Sequence, residues 1–389
     1  MLLQDKSIAI IGGGPGGLTL AKLLALKGAD IKVYERDFDK NARVQGSPLD
    51  LHDESGLAAL RKANLLKEFK NNFLPGADKK LIMNEHAEIL FSDHDYKIEE
   101  NFENEHFRPE IDRGALRKIL LASIDPSHII WNSHFIAMEQ KNDGWMLHFK
   151  NKESIYADIV IAADGANSKI RPYVTDIIPF YSGITMLEGN IYNAEKEAPN
   201  IFKLLRGGKI MAFGNEQNIL MGQKGNGEIG FYASFKTDES WAKNNGLNGL
   251  NYSDRAQMLD WFKANYTGWS NIWNELFECT TVPFIPRPIY CMPLDQKWKS
   301  LSNLTLIGDA AHVMPPFAGE GVNMAMLDAL ELSENLTSDQ HQTLLEAIST
   351  YESSMLKRAA IVSKESLDNG DLMHAENALN DMLSFFSAH

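Results

Sequence analysis

With 389 residues, 44% of them hydrophobic and 10% aromatic, the chain has material for a large core and too much of it for a disordered protein. Its formal net charge of −14 repels phosphate backbones and anionic lipid, so neither nucleic acid nor a membrane surface is an expected partner. Only Cys279 and Cys291 occur as cysteines, which excludes a disulfide framework or a close dithiol pair. A strand pattern begins by about Ser7, and no apolar run nears the roughly 20 residues that span a bilayer. A cytoplasmic chain without signal peptide or membrane segment is expected.

Ser7 to Ile11 reads as a buried strand, Gly12-Gly13-Gly14-Pro15-Gly16-Gly17 as a turn, and Leu18 to Lys27 as a helix stopped by Gly28. Ile31 to Tyr34 is a second strand, ending at Glu35. In this spacing Gly12 permits a tight turn, Gly14 lets backbone approach a pyrophosphate, and Gly17 packs helix against strand. Glu35 stands where an acid takes ribose hydroxyls, so the unit predicts a dinucleotide site. The same spacing recurs in Gly225-Asn226-Gly227-Glu228-Ile229-Gly230, but with strand-like flanks at Asn218–Met221 and Gly230–Phe235. That context predicts a hairpin, leaving one dinucleotide site.

Ser55 to Phe69 predicts a helix and Leu81 to Phe91 a hairpin. Asp112 is expected to cap a helix carrying Leu116, Ile119, Leu120 and Ile124. Arg113 and Arg117 on its first turn oppose the helix dipole, so either an anionic partner or solvent must hold them. Ile129–Trp131, Phe135–Glu139 and Trp145–Phe149 alternate as strands. Ala157 to Ala163 is another buried strand, ending in Asp164-Gly165, with Ser168 and Arg171 after it. The pattern then turns β-rich, with strands expected over Ile184–Tyr192, Lys209–Phe213, Ile219–Gln223 and Ile229–Phe235, and a helix over Asp254–Tyr266.

A third buried run, Leu304 to Gly308, ends at Asp309 and leads into a Pro/Gly turn and a helix start through Asn323. An acid at a strand end beside free helix N–H groups suits a polar, anion-bearing ligand. Helices follow over Val322–Leu336 and Leu344–Leu367, the second long enough to brace two lobes, then an amphipathic tail with Met373, Leu379, Met382, Phe385 and Phe386. The expected architecture is α/β. A dinucleotide-binding domain comprises residues 1–172 and 294–340, a β-rich lobe of residues 173–293 is inserted into it, and residues 341–389 are C-terminal helices bridging the two.

The glycine-rich unit ending at Glu35, the Asp164-Gly165 segment and the Gly308-Asp309 segment together resemble the FAD-dependent aromatic hydroxylases, the single-component class A flavin monooxygenases. Val33-Tyr34-Glu35-Arg36-Asp37, Leu49-Asp50-Leu51-His52, Ser234-Phe235-Lys236-Thr237 and Gly308 through Asn323 are closer still to the TetX tetracycline-inactivating monooxygenases, over nearly the whole length. The resemblance implies a Rossmann-type, glutathione-reductase-like domain holding FAD tightly but non-covalently. It also implies NADPH as transient reductant, with NADH left open, and O2 and a polycyclic, phenolic or enolic small molecule as co-reactants. Hydroxylation would pass through a flavin hydroperoxide. No metal is implied, and a monomer is expected.

Residue by residue, the resemblance implies that Glu35 binds the adenosine ribose, Arg36 lies beside the adenine, and Arg43 meets NADPH. It gives Asp50 and Arg113 to FAD, Asp164 and Gly165 to FAD and NADPH, and Asp309 to the ribityl and pyrophosphate region. Pro316, Gly319, Gly321, Val322 and Asn323 would present a turn and helix N-terminus to one edge of the flavin ring, where negative charge gathers on reduction. The substrate is expected between flavin and lobe, against Glu188, Lys209, Met211, Met221, Tyr232, Phe317 and Met373, with Phe213 and Phe231 alternating nearby. No catalytic side chain is assignable, because the cofactor carries the chemistry, and His312 is expected to pack or hydrogen-bond.

Against the TetX pattern the chain has Asp164 for Asn, Glu188 for Gln, Lys209 for Arg, Met221 for Phe and Gly230 for His. A lysine does not replace a planar arginine fork on an enolate, so tetracycline inactivation stays open beside hydroxylation of another aromatic metabolite. A flavin dehydrogenase or reductase and an FAD-bound drug-sequestering protein are the alternatives of other classes. The Trp-x-Trp-x-Ile-Pro signature of flavin halogenases is absent.

Overall fold

A computed structural model describes residues 2–41, 48–95, 100–150, 152–243 and 249–387. Its organising element is a five-stranded parallel sheet in the order Leu304–Leu306, Ile159–Ala162, Ser7–Ile11, Asp30–Tyr34, Ile129–Ile130. Both faces of this sheet are covered, which is why its strands read as unbroken apolar runs; Ile159, Val160, Ile161 and Ala162 are all fully buried. From Ser7–Ile11 the chain proceeds to one side through the helix Pro15–Leu26, and the Ile159–Ala162 strand lies on the other. That reversal of strand order opens a crevice at the carboxyl ends, where ligands of open α/β sheets bind. Three adjacent strand ends therefore bring Gly12, Asp164 and Asp309 to one edge.

A seven-stranded sheet forms the lobe, in the order Ile285–Cys291, Phe180–Ile191, Ile229–Lys236, Gln217–Gln223, Lys209–Gly214, Lys80–Asn84, Ile89–Ser92. The Lys80–Ser92 hairpin, expected from the sequence as local structure, crosses to this sheet and pairs in parallel with Lys209–Gly214. The edge strand Ile285–Cys291 has no counterpart in the sequence pattern because Pro286 and Pro288 interrupt it, and prolines are tolerated at an edge. One face of the sheet packs under helices Pro199–Leu205, Arg255–Asn265 and Asn274–Cys279, with Phe231, Trp273 and Phe277 at the centre.

The helix expected over Ser55–Phe69 is broken into a π-helical turn, Asp53–Leu57, and two short helices, Ala58–Lys62 and Leu66–Lys70. Asn64 at φ 60 forces the second break. The bracing helix runs over 30 residues, Leu344–Met373, behind a capping box of Thr343 and Glu346. It is fastened to the third strand of the crevice, since Tyr351 Oη donates to Leu306 O at 2.9 Å and Thr305 Oγ1 donates to Glu352 Oε1 at 2.7 Å. Among the described residues no helix is long and apolar enough to cross a membrane.

Candidate functional site

The crevice begins at the glycine turn. A Cβ on Gly12 would run into the Ala163 carbonyl and one on Gly17 into the Gly12 carbonyl, so these two glycines allow backbone to lie on backbone. Gly14, Gly165 and Gly321 instead face open space. Glu35 is buried and accepts N–H bonds from Gly13 at 2.5 Å and Asp37 at 2.9 Å, one on each carboxylate oxygen. Each oxygen keeps a lone pair for a further donor. Arg36 beside it is exposed, and Arg43 lies outside the described residues.

The two arginines after Asp112 part company. Arg117 is buried, pairs with Asp37 at 3.0 Å and lies over the Trp131 ring. Arg113 is exposed towards the crevice, where its charge helps hold down the pKa of Asp309. Asp112 is the N-terminal residue of the helix Arg113–Ala122 but makes no side-chain cap. Its carboxylate accepts instead from Gly225 N–H at 3.2 Å, tying the glycine hairpin of the lobe to this helix.

Asp164 accepts from Lys169 N–H at 2.9 Å, while its Oδ1 is buried without a hydrogen-bond partner among the described residues. Burial raises its pKa against the nearby Ser168 hydroxyl and the Lys169 N–H. Arg171 is the link that sequence reasoning noted only by position. Its buried guanidinium donates to Ala310 O at 2.7 Å, Asp309 O at 2.8 Å and Ala166 O at 3.0 Å, joining the Asp164 and Asp309 segments.

Gly308, at φ 58, turns the chain so that Asp309 is exposed into the crevice. Enclosure by protein raises the Asp309 pKa, and His312, Arg113 and Arg171 oppose the rise. His312 hydrogen-bonds, as expected, rather than facing the crevice. Its Nε2 lies 2.6 Å from Asp328 Oδ2, and Asp328 also accepts from Gly308 N–H and Arg358, both at 2.8 Å. Asp328 was missed by sequence reasoning, although a lone acid on the apolar face of the helix Gly321–Thr337 is its visible signal.

The turn of residues 315–320 is clamped from two sides. Ser366 of the bracing helix donates to Pro315 O at 2.5 Å and accepts from Ala318 N–H at 3.2 Å. Asn323 accepts from His52 N–H at 3.0 Å and donates to Asp50 O at 3.1 Å. His52 is buried between Asp50, 3.1 Å from Nε2, and Glu320, 3.0 Å from Nδ1. Burial alone would lower its pKa, but the two carboxylates outweigh that and raise it to about 9. Asp50 Oδ1 lies 3.6 Å from the position of a Cβ on Gly319, so Asp50 and the turn share one wall.

Across the crevice, side-chain parity sorts the lobe residues. Met211, Leu220, Tyr232 and Glu188 are successive cross-strand partners and so share a face. Met211, Leu220 and Phe317 pack against the cluster that holds Ile82, Phe213 and Met373, and Leu220, Tyr232 and Phe317 against that of Ile184, Met186 and Ile289. Met221 and Phe231 point the other way, into the core under the helices, because each is one residue out of step with that row. Met221 is therefore corrected from cavity to core. Glu188 is buried and accepts from Arg287 Nε at 2.8 Å and Asn190 at 3.3 Å. Lys209 hydrogen-bonds to Glu110, a buried acid with no local signal in the sequence. Burial raises the Glu110 pKa to about 7 even though Lys209 pulls it down.

These features fit an extended dinucleotide. The open space at Gly14, Gly165 and Gly321, the unpartnered Asp164 Oδ1, the exposed Asp309 and the helix starts at Pro15 and Gly321 all border one crevice. Glu35 stands at one end of it and Asn323 at the other. No group of His, Cys, Asp and Glu able to hold a metal occurs among the described residues.

The family model described as "FAD binding domain" matches residues 5–201 and 296–366. Monooxygenase penA of Penicillium thymicola is 25% identical to the chain, over 96% of each. Among solved structures, Klebsiella pneumoniae HpxO complexed with FAD and uric acid superposes with a TM-score of 0.74 at 19% identity, over 98% of this chain and 92% of that one. The tetracycline destructase Tet(51) gives a TM-score of 0.72 at 17% identity, over 97% of this chain and 94% of that one.

Proposed function

The chain belongs to the FAD-binding-domain family and is an FAD-dependent monooxygenase, and from that premise we propose that it hydroxylates a polycyclic, phenolic or enolic compound at the expense of NADPH. The observation that carries this reading is the apolar row of Met211, Leu220 and Tyr232 on the lobe, which shares its clusters with Phe317 of the turn before Gly321 and has the charged groups Lys209, Glu110 and Asp50 at one end. A flat ring fits such a wall, and a substituent that ionises fits the charged end.

Bound FAD supplies hydride acceptance and oxygen activation. Glu35 and the Gly12–Gly17 turn are assigned to the adenosine half, and Asp309, with Arg171 holding its backbone, to the linker. The N-terminus of the helix Gly321–Thr337 would lie towards the flavin ring, where an oriented helix end favours negative charge by about 0.3–1 kcal/mol, or up to ~2 when partly buried. Phe317 and Met373 would keep water from the wall and leave a dry surface for a bound substrate.

Tetracycline is a second reading of the same site, favoured by the likeness to the tetracycline destructase fold. Lys209 in place of a planar fork, and Glu188 already engaged by Arg287, weigh against it. Aerobic NADPH consumption, measured across a panel of phenols and polycyclic enols that includes tetracycline, separates the readings. A product heavier by one oxygen supports hydroxylation. NADPH oxidation without oxygen in any product would mean a reductase, and bound FAD with no NADPH oxidation would mean a sequestering protein.

A further inference from the structure

Lys209 projects from the same sheet face as Met211, and 36% of its side chain is accessible. Next to it the sheet is nearly bare, because Lys209 pairs with Gly222 and Gly222 pairs with Gly230. A Cβ on Gly222 would touch nothing but the Lys209 side chain, at 3.7 Å. A flat ring lying on this strip would bring its edge to the ammonium.

The ammonium is not free to receive it. Glu110 reaches Lys209 from the strand Glu110–Ile111, which pairs with Leu49–Asp50 in the other half of the molecule. One Glu110 oxygen takes Lys209, and the other, Oε2, is buried with no hydrogen-bond partner. The charges acting on this pair are Asp50 and Asp78, with Lys80 beside Lys209 and Asp93 beside Lys80. His52 and Glu320 follow beyond Asp50. A ligand arriving as an anion would add charge to three nearby carboxylates. A neutral enol that hands its proton to Glu110 leaves the net charge unchanged.

We propose that Glu110 is the base that takes the acidic proton of an enolic or phenolic substrate while the Lys209 ammonium exchanges the Glu110 carboxylate for the substrate oxyanion. The ligand O–H bond breaks with its electron pair left on oxygen, a bond from Glu110 Oε2 to that proton forms, and Lys209 keeps all three of its protons. A buried carboxylate deprived of its cation is costly, so loss of Lys209 itself drives the proton onto Glu110. Burial already brings Glu110 to a pKa of about 7, within reach of such a transfer. The substrate is then held as its electron-rich anion. This assignment rests on the hydroxylase reading given above.

The test needs no turnover. 3-Nitrophenol, a weaker acid than Glu110, is titrated into oxidised, FAD-loaded protein without NADPH, at a pH above the Glu110 pKa of about 7 and below the phenol's own, in weak buffer with a pH indicator. Wild type is expected to develop the phenolate band with no proton released. Glu110→Gln is expected to release about one proton for each phenolate bound, with affinity rising as pH rises. Lys209→Met is expected to lose the phenolate band, and Lys209→Arg to recover it. A probe that wild type binds un-ionised, or does not bind, overturns the proposal, as does equal proton release from wild type and Glu110→Gln. The wild-type arm decides alone if the Glu110→Gln protein fails to fold. Ionised probe in a protein that never consumes NADPH would sink the hydroxylase reading and leave the proton transfer standing.

Discussion

Asp309 and Arg171 divide one task at the strand end. The acid is exposed into the crevice, and the guanidinium behind it is spent on three carbonyl oxygens, two of them at Asp309 and Ala310. Asp309→Ala removes the crevice acid while leaving the turn intact, so the purified protein is expected to lack the yellow flavin absorbance. Full FAD occupancy in that variant would refute the assignment. Arg171→Lys keeps the charge but cannot serve three carbonyls in a plane. It is expected to cost about 1–3 kcal/mol in urea denaturation, because buried carbonyls lose their donors, and to weaken FAD retention with it. Glu110, which sequence reasoning missed, has a remote partner. Glu110 and Lys209 stand 99 positions apart, and neither carries a local mark of the other. Met221 was misassigned for a related reason. Alternation separates the two faces of a strand but does not say which face meets the crevice.

At the scale of elements, the three strand-to-acid transitions were readable because fully buried parallel strands are apolar runs and their ends are marked by Gly and Asp. The hairpin nature of the second glycine motif was readable from its flanks. The strand Ile285–Cys291 was hidden by its prolines, and the break at Asn64 by a residue whose left-handed conformation leaves no pattern in sequence. The C-terminus of the bracing helix depends on chemistry that periodicity does not report. His374 is fully buried there, with Nδ1 2.7 Å from Gly370 O and Nε2 2.7 Å from Ser234 Oγ on the lobe sheet. Burial lowers its pKa to about 4 from 6.5, so the folded protein holds it neutral. Since the folded pKa is the lower one, this contribution is whole above about pH 6.5 and is lost as pH falls towards about 4. The loss amounts to about 3 kcal/mol. Urea midpoints measured across that window should fall more steeply for wild type than for His374→Gln, and parallel slopes would contradict the role given to His374.

For the molecule as a whole, the bracing helix couples the two halves at points eight residues apart. Ser366 holds the turn before Gly321, and His374 holds the lobe sheet. Between them Gly370 leaves room for Phe317; a Cβ there would stand 2.8 Å from the ring. The wall and the turn are thus set by one rigid element, so the spacing between them is a property of that helix.

The hairpin Lys80–Ser92 carries a consequence for taking the protein apart. The lobe sheet is completed by two strands that belong, in chain order, to the segment before it. A gene fragment encoding residues 173–293 would express Lys209–Gly214 as an open edge, with unpaired N–H and C=O groups and Met211 and Phe213 uncovered. Such a fragment is expected to aggregate, while one that adds residues 78–94 through a linker should stay in solution, as sedimentation after expression would reveal. The two halves cannot be exchanged between relatives as cassettes unless that hairpin travels with the lobe.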